Sequence, residues 1–126
     1  MNFESPELRR LAADFDEAAD IAPREARKVV AKGALNIKAG ARRRVSGHAH
    51  LPGYPHAITY DSHETPGGGY ADVGPDKTKA QGALGNIIEF GGLREAPIPH
   101  MGPAADLEQP RFEKAMADLA VRGVIR

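Results

Sequence analysis

The sequence predicts an α+β fold in which a long N-terminal helix and a C-terminal helix pack on a small antiparallel β-sheet. Three observations support this class: an apolar stripe at helical spacing in residues 24–44, two short β-prone segments joined by glycines, and a second apolar stripe after Pro103. With 126 residues, the chain is long enough for one domain with a modest core. We therefore expect a single domain, with an N-terminal helical segment at 1–22 and a core at 24–122.

Two helices are predicted at the N-terminal side. The first begins at Ser5-Pro6, because a hydroxyl residue followed by proline is a favourable helix start. Its apolar stripe consists of Leu8, Leu11, Ala12, Phe15 and Ala19. Pro23 has no amide N–H, so this helix is expected to stop or kink near Ile21-Ala22. The second helix is predicted over residues 24–44, with a stripe of small and β-branched residues: Val30, Ala34, Ile37, Ala41 and Val45.

The rest of the chain reads as a hairpin followed by helices. "SGHAHLPGYPH" is a predicted loop, and "AITYDSH" and "GYADVG" are predicted strands. "TKAQGALGNIIEF" is a predicted helix that ends in a left-handed Gly91. The next segment must be extended, since Pro97 and Pro99 exclude a helix. The last helix is expected to open at Pro103, to kink or restart at Pro110, and to bury one face: Phe112, Ala115, Met116 and Leu119.

Charge is balanced overall but arranged in blocks. The chain has 17 basic and 17 acidic residues. Residues 1–20 hold two basic and six acidic side chains, a net charge of −4, whereas residues 24–44 hold eight basic and one acidic, a net charge of +7. Such blocks are suited to contact with another molecule or with another copy of the chain.

The residue pattern does not favour an enzyme or a cofactor-binding protein. There is no cysteine for a disulfide or a thiolate metal site. The five histidines are interpreted as solvated loop residues, because no helical ligand motif accompanies them: His48, His50, His56, His63 and His100. Ser46 and Ser62 lie outside any nucleophile-elbow pattern. We therefore expect no catalytic residue, no metal and no cofactor.

The start "MNFESPELRR" lacks the layout of a signal peptide, and no apolar run approaches the roughly 20 residues of a membrane span. A cytosolic origin fits this pattern, and no membrane partner is expected.

Three consecutive arginines end the second predicted helix: Arg42, Arg43 and Arg44. They are candidates for contact with DNA phosphates or with another subunit, since guanidinium groups bind phosphate without base specificity. The alternative is a solvated helix end, where cations complement the helix dipole. No aromatic residues interleave with these arginines, which favours the alternative.

One stretch has a more specific pattern. An apolar run, a glutamate, an aromatic residue and a glycine are followed by a proline-rich link and by Pro-Ala at the start of the last helix: Ile87, Ile88, Glu89, Phe90, Gly91, Pro97, Pro99, Pro103 and Ala104. With these residues the chain resembles a family of tailed-bacteriophage neck and tail-completion proteins, similar to the phage minor tail protein Z. It departs from the family at Gly92, where threonine is common, at His100, where phenylalanine is common, and at 46–56, where the usual Asp-Thr-Gly segment is replaced.

The resemblance implies a structural role without catalysis. It implies a homo-oligomeric ring at the virion's head–tail junction, assembled in the bacterial cytoplasm. Its implied partners are other neck and tail proteins, such as a connector or stopper and a tail terminator or tail tube, and DNA passes through the lumen. Glu89 is expected to accept hydrogen bonds from adjoining backbone or an arginine, and so to fix the link into the proline segment. The alternative is a small nucleic-acid-binding protein that uses the basic helix at 24–44.

Overall fold

Two long helices and one β-hairpin make up the fold. A computed structural model describes the backbone of residues 6–124 and the side-chain surroundings of residues 22–122. The elements in chain order are α1 (Pro6–Val45), α2 (Tyr54–Ala57), β1 (Ile58–Thr65), β2 (Gly68–Pro75), a 3₁₀ turn (Gly82–Leu84), α3 (Gly85–Phe90) and α4 (Met101–Val124). α1 packs against both α4 and the hairpin. The predicted α+β class is confirmed.

The two strands form an antiparallel hairpin with a two-residue turn. Their register runs from Ile58 opposite Pro75 to Thr65 opposite Gly68, which leaves Pro66 and Gly67 as the turn. The two strands that the sequence predicts are therefore confirmed. The tip is attached to α1, because the Arg27 guanidinium donates to the carbonyl oxygens of Gly68 at 2.6 Å and Thr65 at 2.7 Å.

The predicted helix end near Pro23 is wrong. α1 is one helix of 40 residues that contains Pro23. A proline in a helix interior costs about 3 kcal/mol, because it lacks an N–H and its ring crowds the carbonyl four residues earlier, but Pro23 does not end α1. Ala26 is buried beneath the hairpin tip. Its Cβ lies so close to Gly68 that a Cβ added to this glycine would be only 3.2 Å away. The predicted cap at Ser5 and the side chains of the stripe at 8–19 lie outside the described residues.

Small residues bring α1 and α4 close together along an antiparallel contact. A Cβ on Gly40 would lie 3.4 Å from the Cβ of Ala104, and one on Gly33 would lie 3.3 Å from the Phe112 ring. Between these points the Asn36 amide donates to the Glu108 carboxylate at 3.1 Å. The predicted stripe of α1 faces this contact and the hairpin, with Ala34, Ala41 and Val45 buried and Val30 and Ile37 partly buried.

The core lies at the C-terminal end of α1. Its buried residues come from four helices and the first strand: Ala41, Val45, Tyr54, Ile58, Ile88 and Ala104. Two of the largest buried side chains, Tyr54 and His100, belong to segments that the sequence predicts as exposed loop. The prediction of a loop through residue 56 is wrong at its end, because α2 turns Tyr54 and Ala57 inward.

Helical boundaries in the second half differ from the prediction. The helix predicted from Thr78 begins only at Gly82, because the Asp76 carboxylate accepts from the Thr78 amide at 2.9 Å and hydroxyl at 2.6 Å and holds a turn instead. The same two bonds lower the pKa of Asp76. α4 begins at Met101, two residues before the predicted start, and it continues through Pro110 without a restart.

None of the helices within the described residues has the length and apolar character needed to cross a membrane.

Candidate functional site

The motif glutamate forms the N-terminal cap of α4. The Glu89 carboxylate accepts from three successive backbone amides: His100 at 3.2 Å from both oxygens, Met101 at 2.8 Å and Gly102 at 3.4 Å. The next residue, Pro103, has no amide hydrogen, and the amide of Ala104 makes a helical bond to the His100 carbonyl oxygen at 3.2 Å. The first-turn donors of α4 are therefore satisfied, and a negative charge sits at the positive end of its dipole.

This arrangement explains a glutamate at the last turn of α3. Glu89 opposes the dipole of its own six-residue helix, but it complements the dipole of the 24-residue helix α4. The expectation that Glu89 accepts from adjoining backbone agrees with these contacts, and no arginine contacts it among the described residues.

The turn of the chain from α3 into α4, residues 88–104, forms a corner. His100 lies at its centre and is fully buried. Its Nδ1 is 2.8 Å from the Ile98 carbonyl oxygen and 3.1 Å from a Glu89 oxygen, so Nδ1 carries a proton. Its Nε2 is 2.6 Å from the Tyr54 hydroxyl, and the two rings meet edge to face with centroids 5.2 Å apart. The interpretation of His100 as a solvated loop residue is wrong: its neighbours in space, not in sequence, place it in the core.

The hydrogen bond between Tyr54 and His100 completes this network. Burial, with a further contribution from the Glu89 charge, raises the pKa of Tyr54 to about 12. The hydroxyl therefore keeps its proton at neutral pH and forms a hydrogen bond with His100 Nε2. No buried side-chain nitrogen or oxygen of the described residues is without a partner.

The link between α3 and α4 leaves the helix through Gly91. This residue has φ +84° and ψ 164°. Its φ is positive as predicted, but its ψ lies outside the left-handed helical region, in a region that only glycine adopts readily. A Cβ here would lie 3.0 Å from the Glu95 carbonyl oxygen and 3.1 Å from Pro97. The segment that contains Pro97 and Pro99 has no helix, as predicted, and the Ile98 amide attaches it to the Ile88 carbonyl oxygen at 2.7 Å.

The motif residues fall into two groups. Ile88 and Ala104 belong to the core, and Pro103 lies in the first turn of α4. Ile87 and Phe90 face outward instead, and Phe90 is 76% exposed. One face of α3 thus packs into the corner, and no described residue covers the opposite face.

The three arginines at the end of α1 have different surroundings. Arg42 is bound within the chain, because its Nε and Nη2 donate to the Ile58 carbonyl oxygen at 3.0 and 2.7 Å. Arg44 donates to the Gly40 carbonyl oxygen at 2.9 Å. Arg43 is exposed and is therefore the member of this group that is best placed to contact another molecule.

The other candidate groups remain dispersed. His48, His50, His56 and His63 are exposed, as the sequence predicts. Among the described residues, no three histidine or acidic side chains lie close enough together to hold a metal ion. Ser46 donates to the Arg42 carbonyl oxygen and does not contact a histidine there.

Three residues with a clear role carry little signal in the sequence. Tyr54, Arg27 and Glu108 each bind a partner at least 38 positions away. The only local hint concerns the Tyr54–His100 pair, because apolar residues lie near both members in the sequence. Leu51 lies shortly before Tyr54, and Ile98 and Met101 lie on either side of His100. These three apolar residues pack against the core.

Comparison of the chain with protein-family models, with curated proteins and with solved structures gives no match.

Proposed function

We propose that this protein is a structural, ring-forming component of the bacteriophage head–tail junction, which completes the neck or tail and keeps the DNA channel continuous. The observation that carries the proposal is the capped corner. The residues of the phage-like motif are the ones that turn the chain from α3 into α4, and Glu89 fixes that turn through three backbone amides.

A rigid corner suits a ring subunit. Subunits of a closed ring meet through the same pair of surfaces at every joint, so an error in the angle between surfaces accumulates around the ring. The corner fixes the outward face of α3 relative to α1 and α4, because Ile88, Glu89 and His100 are all engaged inside it. The proposed partners are copies of this chain and the neck and tail proteins above and below, with DNA in the lumen.

Gene removal in the encoding phage tests the proposal. A stop codon early in this gene should yield filled heads and separate tails, and supplying the protein from a plasmid should restore joined particles. Infectious particles that form without the protein would contradict the proposed role.

A charge test refines the same experiment. Arg43→Glu should fold normally but reduce incorporation into particles, because Arg43 is exposed within the +7 block. Arg42→Glu is the matched control for folding damage, since it breaks the bond to Ile58 and should lower the melting temperature. Equal incorporation of Arg43→Glu and wild-type protein at low and physiological salt would exclude a charged joint at this position.

A second candidate function is nucleic-acid binding by α1. The observation in its favour is a row of exposed basic residues at helical spacing, Arg24, Lys28 and Lys32, on the helix that also carries Arg43. Purified protein that binds duplex DNA, with affinity that falls steeply as salt rises, would favour this function. Rings that form without DNA would favour the first.

A further inference from the structure

We propose that the outer face of α3 is a ridge that docks onto a second copy of this chain, in the apolar groove between α1, β2 and α4 of that copy. The ridge consists of four exposed apolar residues: Leu84, Ile87, Phe90 and Leu93. This inference rests on the proposed ring for its biological setting, and it names the two surfaces through which the copies meet.

The ridge is a group of exposed apolar side chains that the fold cannot turn inward. Its members recur every three residues, and Phe90 is 76% exposed while Leu93 is fully exposed. The opposite side of α3 is already occupied: Ile88 belongs to the core, and a Cβ on Gly85 would lie only 2.5 Å from Pro75. Since the inner face is fixed, the apolar side chains stay in water unless another molecule covers them. Contiguous exposed apolar surface of this kind marks interaction sites.

The groove is an apolar depression on a different side of the fold. Val30 and Ile37 of α1, Tyr70 and Val73 of β2, and Phe112 of α4 line it. α1 presents the small residues Gly33 and Ala34 to it, which leaves room for side chains from another molecule, and its volume is about 430 Å³. Glu108 is the one ionisable group in the lining apart from Tyr70, and the Asn36 amide already engages it. The groove is therefore suited to apolar side chains of the size of leucine and phenylalanine.

Charge around the two surfaces points to a second copy as the occupant. The hairpin beside the groove, residues 58–75, contains Asp61, Glu64 and Asp72 and no lysine or arginine. The segment that carries the ridge, residues 76–95, exposes Lys77, Lys79 and Arg94. Of its three acidic residues, Glu89 points into the corner and Asp76 is bound by Thr78, which leaves Glu95 as the exposed one. A ridge that enters the groove of another copy thus brings basic residues towards an acidic hairpin.

The contact joins two different surfaces of identical chains. It is therefore heterologous: after one contact is made, one copy still has a free groove and the other a free ridge, and repetition closes a ring when the rotation between copies allows it. A dimer with two-fold symmetry would instead place ridge against ridge or use both ridge–groove pairs at once, which would leave no free surface for a ring.

Disulfide trapping tests this geometry directly, because the chain has no cysteine. Leu93→Cys places a thiol on the ridge, and Gln109→Cys places one on the exposed wall of the groove. The two purified variants are mixed and oxidised, and each is also oxidised alone. We expect a disulfide-linked dimer in the mixture at least fivefold above either variant alone. Ala49→Cys, in an exposed loop away from both surfaces, replaces Leu93→Cys in the control mixture and should give no dimer.

A charged substitution on the ridge provides a second test of the contact. Phe90→Asp on the Leu93→Cys background should abolish the mixed dimer while leaving the melting temperature unchanged. Linked dimers of Leu93→Cys alone would show a ridge-to-ridge contact and overturn the proposal. Absence of a mixed dimer, or a mixed dimer that persists with Phe90→Asp, would also overturn it.

Failure of this inference is distinguishable from failure of the proposed function. If the mixed dimer forms but wild-type protein is absent from phage particles, the ridge-and-groove contact stands and the phage role fails. If particles contain the protein and incorporate Phe90→Asp equally well, the phage role stands and the contact fails.

Discussion

The two faces of α3 differ in almost every physical respect, although the helix has only six residues. On the inner face, Ile88 is buried and Glu89 binds three backbone amides of α4. On the outer face, Ile87 and Phe90 have no polar role and are 48% and 76% exposed. Glu89 and Phe90 are adjacent in sequence, but one completes the first turn of another helix and the other faces solvent.

This contrast shows how a short element can serve both folding and association. A six-residue helix is too short to be stable on its own, so its position depends on the contacts of its inner face. The outer face is then free of folding constraints, and its apolar residues are better explained by a binding partner than by the core. If this division is correct, substitutions on the two faces should separate stability from association.

The largest expected effect is at Glu89. Glu89→Ala should lower the free energy of unfolding by about 3 kcal/mol, because it removes charge-assisted bonds to three amides and leaves those donors without a partner beside buried His100. Urea unfolding monitored by circular dichroism measures this change. Phe90→Ser is the control on the outer face and should change stability by no more than about 0.5 kcal/mol. Equal losses in the two variants would remove the distinction between the faces.

A smaller effect is expected at Gly91, where the chain leaves α3. Gly91→Val should cost about 2 kcal/mol, because valine resists φ +84° with ψ 164° and its Cβ would approach the Glu95 carbonyl oxygen at 3.0 Å. Gly47 offers a matched comparison, since it also has a positive φ, +86°, but no atom lies within 4 Å of a Cβ there. Gly47→Val should therefore cost about 1 kcal/mol. An unchanged melting temperature for Gly91→Val would show that the link adapts.

The smallest effect concerns pH. The folded state holds the Tyr54 proton with a pKa of about 12, above the usual tyrosine pKa of about 10, so the unfolded chain releases this proton first as the pH rises. The contribution to stability is thus fully present below pH 10 and is lost as the pH rises towards 12. At pH 11 the loss should be about 1 kcal/mol. Tyr54→Phe is less stable at neutral pH but should lack this component, so the stability difference between it and wild type should shrink from pH 9 to pH 11. A constant difference would contradict the burial of the hydroxyl in the corner.

Patterns that depend on neighbouring residues could be predicted from the sequence. The alanine-rich stripe of α1 repeats every three or four positions, and the hairpin has a proline and glycines at its turn, so both follow from local spacing. The helix end predicted at Pro23 is wrong, and the next turn of α1 is bound to the hairpin tip, 38 to 41 positions away, a contact that no local pattern reveals.

The corner could be predicted only in part. The resemblance implied a hydrogen-bonded role for Glu89, but its partners lie 11 to 13 positions away on a helix whose start is set by the packing. His100 sits between prolines, which is typical of a loop, and its burial depends on Tyr54, 46 positions earlier. Long-range pairs of this kind have no periodic signal in a single sequence.

The pairing of Asn36 with Glu108 has a consequence for the nascent chain on the ribosome. Met101 follows Val45 by 56 residues, so at roughly 5–20 residues per second α1 leaves the ribosome several seconds before α4 can cover it. During that interval the stripe from Val30 to Val45 is open to water or to the corresponding helix of a neighbouring nascent chain. Contacts between such distant segments also form slowly, because a long loop must close first. We expect the net charge of +7 on residues 24–44 to limit that contact, since these basic segments of two chains repel each other when they lie side by side.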